Sequence, residues 1–269
     1  MFPNPIFGRV HLYGVMIAVG VLVAFTVLTV YGKKLKISEK FIDFIFFTGI
    51  GAIVIGFGSA AIFQSVYNYI QNPMDGFHLS GGITFLGGLI GGTAFFLIVY
   101  FILRPRLDTR LADTLSIFPC MITVGHAFGR VGCFFAGCCY GKPTDSFLGV
   151  QFPHLRTPVH PTQLYEAAFL FILFAVLSVL LLKWKFRYNM SIYLVAYGVF
   201  RFCNEFLRGD DRGEFIFGIS PSQFWSLCMI VLGIAIFFPL KRIYDKKAAT
   251  APMENELEEA EAPDEQEAE

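Results

Sequence analysis

Seven apolar stretches run along this chain, at roughly 10–31, 41–63, 83–103, 114–136, 164–183, 189–207 and 222–240. Each has the ~20 residues that a helix needs to cross the hydrocarbon core of a bilayer. Lipid offers backbone N–H and C=O groups no partner, so a spanning segment must bond internally, as a helix, or close into a barrel. Stretches this long and continuous exclude the short alternating strands of a barrel. The expected fold is an all-α polytopic membrane protein with seven transmembrane helices. Composition agrees: 55% of the 269 residues are hydrophobic and 32 are Phe, against ~45–50% apolar residues in soluble domains.

Charge gives the direction of the spans. The connections 32–40, 104–113, 183–188 and the segment from Lys241 carry 14 Lys and Arg, whereas residues 1–9, 64–82, 137–163 and 208–221 carry 5. Cationic loops stay in the cytoplasm, so the N-terminus is expected outside and the C-terminus inside. The first stretch is too long for a removable signal peptide and has no clear small-residue cleavage site.

The formal net charge of zero conceals two parts of opposite sign. Nine of the 21 acidic residues lie in 254–269, which leaves residues 1–253 at +9. We therefore divide the chain into a membrane domain, 1–243, and an acidic tail, 244–269. Residues 248–269 of it are rich in Glu, Ala and Pro without aromatic residues, and the tail is expected to be disordered in the cytoplasm because it cannot bury enough apolar surface to offset ordering.

Two of the 21 cations, Arg130 and Arg201, fall inside apolar stretches. A guanidinium at bilayer depth faces a polar cavity or an anionic partner, and the anion most available there is a lipid phosphate. With the expected topology both arginines approach the outer end of their spans. His11 and Tyr13 share that level, as do His160, Gln163 and Glu166 at the start of the fifth span, which points to a one-sided pocket at the outer leaflet. Internal repeats and midplane charges, the marks of a transporter, are not evident. Glycine pairs at Gly81-Gly82, Gly87-Gly88 and Gly91-Gly92, with Gly49, Gly51, Gly56 and Gly58 in the second span, suit close helix contact or a bend in the third span.

The segments Gly81–Gly91, Gly129-Arg130-Val131-Gly132, His160-Pro161-Thr162-Gln163-Leu164-Tyr165-Glu166 and Tyr197-Gly198-Val199-Phe200-Arg201 occur in an order that resembles the bacterial prolipoprotein diacylglyceryl transferases. His11-Leu12-Tyr13-Gly14 and Glu205-Phe206-Leu207-Arg208 also fit, so the resemblance covers about residues 8–240. It implies an enzyme of the bacterial inner membrane. Such an enzyme moves the diacylglyceryl group of phosphatidylglycerol onto the lipobox cysteine of preprolipoprotein signal peptides, forming a thioether. Its partners would be phosphatidylglycerol, the signal peptides and the bilayer, with no cofactor.

Through that resemblance Arg130 is the phospholipid anchor and Arg201 a catalytic arginine, with Tyr197 on the same helix face at i,i+4. Tyr13, His160 and Gln163 join the substrate site, His160 suiting a structural role at the mouth of the fifth span. Glu166 and Glu205 are expected counter-ions of the arginines, because unpaired charge is costly at this depth. Three departures stand out. Leu86 occupies a position where relatives commonly have histidine, Cys138 stands where the signature has glutamate, and no arginine lies between Arg9 and Arg104. His126, four residues before Arg130, is then the candidate base for the thiol, with His78 an alternative.

Two other readings remain open from sequence. Cys133, Cys138 and Cys139 suit a membrane thiol oxidoreductase, although Cys-x-x-Cys is absent; a non-catalytic lipid-binding paralogue is the other. Cys-x4-Cys-Cys without a nearby histidine lacks the usual zinc spacing, so no metal is expected. The glycine pairs lie in an apolar span and no Gly-x-x-x-x-Gly-Lys loop occurs, so neither a nucleotide nor a nucleic acid is expected as a partner.

Overall fold

The computed structural model describes residues 11–79, 84–209 and 218–261. Among them there are helices, turns and three isolated bridges, with no β-strand. Eight α-helices follow in order: α1 (Leu12–Lys34), α2 (Glu39–Gln71), α3 (Phe85–Leu103), α4 (Leu111–Thr114), α5 (Phe118–Ala136), α6 (Thr162–Leu182), α7 (Asn189–Glu205) and α8 (Pro221–Glu261). Six of these, α1, α2, α3, α5, α6 and α8, are long and apolar enough to cross a membrane. The seventh expected span corresponds to α7, which has only 17 residues and carries Arg201, Asn204 and Glu205 in its last turns.

Contacts divide the chain into two compact units, residues 28–114 and residues 1–27 with 115–269. In the first, α2 and α3 pack along each other through small residues. A methyl group built on Gly56 would lie 3.0 Å from the carbonyl of Gly88, and one on Gly92 would lie 2.9 Å from the carbonyl of Ala52. Lipid supplies no hydrophobic drive for helix pairing, so backbones this close gain dispersion and polar contacts directly. Ser59 donates to the Gly87 carbonyl at 2.9 Å, and Thr84 donates to Gln64 at 2.7 Å. The glycine rows therefore pack rather than break the helix, since α3 is continuous. Gly81 and Gly82 lie outside the described residues. Ser38 caps α2 by accepting from Phe41 N–H and donates to Asp108 at 2.7 Å, and this bond holds the exposed Asp108 carboxyl below the usual range.

In the second unit, α5 pairs with α6, α6 with α7, and α7 with α8. The first part of α1 lies on α5 where Gly20 meets Gly125, and Tyr13 rests on Gly132. Gly198 brings α7 against the Ser226 carbonyl of α8. Leu170, Leu177 and Leu181 of α6 are fully enclosed. Asn189 closes the opposite end by donating to the Leu177 and Ser116 carbonyls at 3.0 and 3.4 Å.

The apolar part of α8 ends at Asp245, yet the helix continues to Glu261. Ala- and Glu-rich residues there extend a helix already formed, which avoids the nucleation cost. Residues 262–269 lie outside the described residues.

The α2–α3 contact gives a direct test. Gly92→Val should destabilise the purified protein by about 1–3 kcal/mol through overpacking, whereas Gly58→Ala, which meets nothing within 4 Å, should not. Thermal unfolding in detergent micelles checks both. Equal midpoints for Gly92→Val and wild type would contradict the close packing.

Candidate active site

Four helix ends converge in the second unit: the C-terminal turns of α5 and α7 and the N-termini of α6 and α8. Carbonyls crowd the ends of α5 and α7, and free N–H groups crowd the starts of α6 and α8. The side chains complement that field. Arg130 and Arg201 sit toward helix C-termini and Glu166 toward an N-terminus, each in the favourable half of its helix dipole.

Glu166 is the centre of the arrangement. Its side chain is 0% exposed, and its Oε1 lies 3.1 Å from Nη2 of Arg130 and 3.7 Å from Nε2 of His126. Tyr197 donates its hydroxyl to the same oxygen at 2.7 Å. The second oxygen, Oε2, is buried without a protein partner. Arg130 retains 18% exposure and His126 29%, so the cluster opens on their side. His126 and Arg130 share a face of α5, as their spacing requires, and Arg130 Nε donates to His126 Nε2 at 3.2 Å. The His126 ring also meets the Tyr197 ring edge-on at 5.3 Å.

A second pair lies beside the first. Arg201 Nη2 is 2.8 Å from Glu205 Oε2 one turn along α7, and it donates to Ser222 at 2.9 Å at the start of α8. Its other amino group, Nη1, is buried without a hydrogen-bond partner. Ser220 donates to Glu205 at 3.0 Å. Arg208, also buried, brings its Nε to 3.9 Å from the same carboxylate.

Both expected counter-ion pairs are thus formed, Arg130 with Glu166 and Arg201 with Glu205. Tyr197 shares the buried face with Arg201 but gives its hydroxyl to Glu166. His160 holds the α6 entrance, with Nδ1 3.2 Å from the Tyr165 hydroxyl and its carbonyl accepting from Gly141 N–H. Gln163 is fully buried and donates to the Cys138 carbonyl at 3.2 Å, so it braces the loop after α5. Tyr13 is 41% exposed on the Gly132 side. His78 belongs to the other compact unit.

Sequence reasoning missed Ser220, Ser222 and Arg208. One signal was available: Ser220-x-x-Gln223 is a capping box. Ser220 Oγ accepts from Gln223 N–H at 3.2 Å, and Gln223 Oε1 accepts from Ser220 N–H at 3.0 Å. That pattern starts α8 at Pro221 and brings Ser222 to Arg201. For Arg208 the i,i+3 spacing from Glu205 was visible in the sequence, whereas its approach to Cys139 joins residues distant in the chain.

A family model described as prolipoprotein diacylglyceryl transferase matches residues 5–239. The chain is similar to proteins named phosphatidylglycerol–prolipoprotein diacylglyceryl transferase. The one from Clostridium tetani is 36% identical over 235 residues, which cover 85% of this chain and 92% of that protein. That from Coxiella burnetii is 33% identical over 239 residues, 84% and 88% of the two chains, and that from Methylococcus capsulatus is 30% identical over 256 residues, 90% and 94%. The match takes in every helix end that surrounds Glu166, and the chain belongs to the prolipoprotein diacylglyceryl transferase family.

Proposed function

We propose that this chain transfers the diacylglyceryl group of phosphatidylglycerol to the lipobox cysteine of a preprolipoprotein, with Arg130 as the phosphate anchor. The observation that carries the reading is the partly open, ion-paired guanidinium of Arg130 inside a spanning helix. Among the described residues, Arg130 faces Glu166, and Arg201 and Arg208 face Glu205, which gathers three guanidinium groups around one site. The buried Nη1 of Arg201 adds an unused donor. Phosphate fits such donors because a guanidinium offers two parallel N–H groups.

In the reaction a thiolate sulfur forms a C–S bond to the glyceryl carbon while the C–O bond to phosphate breaks. Charge collects on the departing glycerol phosphate, where positioned arginines stabilise it. The thiol proton needs an acceptor, and His126 Nε2 is that acceptor in this reading. In the resting arrangement that nitrogen accepts from Arg130 Nε. An arriving phosphate competes for the same N–H, so lipid binding turns Arg130 toward the anion and frees the imidazole. Glu166 then holds the guanidinium and Tyr197 in place, Tyr13 and Arg201 complete the substrate side, and the proton passes on to the leaving phosphate.

The cation distribution supports a bacterial inner-membrane protein with its N-terminus outside and this site toward the outer leaflet, with α7 as the seventh span. Its 17 residues and buried polar face suit a short span enclosed by α6 and α8. Residues 244–269 form a separate acidic cytoplasmic extension.

Arg130→Ala is expected to abolish transfer, and Arg130→Lys to impair it severely, since a point charge lacks the paired donors. Near-normal modification of a lipobox peptide by folded Arg130→Ala protein would refute the anchor. His126→Gln should keep phosphatidylglycerol binding while losing roughly 10²–10⁴-fold in rate, the usual cost of removing a general base. Wild-type rates across pH would exclude the imidazole from proton transfer. Truncation after Lys247 should leave membrane insertion and transfer intact, because it removes none of the site residues; lost activity at normal membrane abundance would assign the tail a role.

A further inference from the structure

Beside the arginine cluster, and outside the mechanism proposed for it, three thiols meet. The Sγ atoms of Cys133, Cys138 and Cys139 lie within 4.8 Å of one another. All three cysteines are free, Cys138 is exposed, and the other two are half-buried. Linear spacing gives no hint of this, because the chain reverses between them. Gly137 ends α5 in the left-handed region at φ 69°, with Gly137 N–H bonding the Phe134 carbonyl at 3.1 Å and Cys138 N–H the Cys133 carbonyl at 3.2 Å. This is the paired bonding of a Schellman motif, which folds the second residue past the helix back onto its last turn. It brings Cys138 over Cys133.

Cys139 completes the group at a conformational cost. Its φ is 63°, a region that non-glycine residues seldom occupy and that persists only when the surroundings impose it. The imposing contacts come from α6: Thr162 donates to the Cys139 carbonyl at 2.8 Å and Gln163 to the Cys138 carbonyl at 3.2 Å. Both of these side chains are fully buried, so the two cysteines are anchored to a rigid helix start. The Arg208 guanidinium stands beside the Cys139 side chain.

We propose that Cys133, Cys138 and Cys139 form a three-thiolate site for a soft d¹⁰ ion, Zn(II) or Cu(I). Sulfur ligands select these ions over hard cations. With Zn–S near 2.3 Å, tetrahedral ligands stand roughly 3.8 Å apart, so the sulfurs need to close by about 1 Å or less, within reach of side-chain rotation. Zn(II) would take a water as fourth ligand, and Cu(I) would be satisfied by three sulfurs. The Cys138 side supplies the entry path.

The test uses the full-length protein, reduced and purified in detergent, and dialysed in separate arms against chelator-buffered Zn(II) and chelator-buffered Cu(I). Atomic emission should find a single retained ion per chain in at least one arm, and the favoured arm identifies the ion. Cys138→Ser and Cys139→Ser should each weaken retention by more than the roughly 10–100-fold typical of outer-shell changes, while Cys203→Ser should not. Alkylation followed by mass spectrometry on wild-type protein serves if a serine variant fails to fold: the ion should protect these three thiols together. No retained ion in either arm, equal retention by the triple serine variant, or recovery of two of the three cysteines as a disulfide from freshly isolated protein would overturn the site.

Discussion

The buried carboxylate of Glu166 is the interaction on which the second unit depends. It accepts from Tyr197 and pairs with Arg130 at a position from which water is excluded. A guanidinium at that depth without its partner would cost several kcal/mol, and removing one member of a buried pair commonly costs about 3–5 kcal/mol. That single oxygen therefore fixes the relative positions of α5, α6 and α7. It also holds His126 and Arg130 at the open side of the cluster, where a ligand has access. The same contact that permits a charge inside an apolar bundle thus orients the groups proposed to act on a phospholipid.

Polar side chains at helix ends do the rest of the positioning. Arg201 reaches from the last turns of α7 to Ser222 in the first turn of α8, and Glu205 takes Ser220 and lies near Arg208. Thr162 and Gln163, in the first turn of α6, hold the loop after α5. Each of these bonds satisfies a group that lipid could not, so polar atoms gather where helices begin and end rather than along their apolar middles. Small residues serve a parallel purpose in the middles: Gly56 with Gly92 in α2 and α3, and Gly20 with Gly125 in α1 and α5, let backbones touch.

Much of this was legible before any coordinates. Apolar length located the helices because a bilayer demands about 20 residues per span, and the bounds of α5 and α6 fall within a few residues of the expected stretches. The i,i+4 relation of His126 to Arg130 follows from helix geometry alone. The pairing of each arginine with a glutamate followed from the cost of bare charge. Family resemblance added the identity of the reaction, which no periodicity carries. The weakest inference from length was α7: the stretch 189–207 looks like a span, but the helix stops at Glu205 and has 17 residues, because its last turns serve polar contacts.

Sequence by itself determined the class of structure, the helices, and the residue types that had to find partners, since each of these depends on local chemistry against a known solvent. Tertiary structure decided which partner each found. It gave Tyr197 to Glu166 rather than to Arg201, made Gln163 a brace for the cysteine loop, and drew Ser222 and Arg208 into the charged cluster. It also brought together three sulfurs whose spacing argued against a metal site. A Schellman turn at Gly137 and a left-handed Cys139 reverse the chain within two residues, and the buried contacts from α6 that hold that reversal come from residues more than 20 positions away.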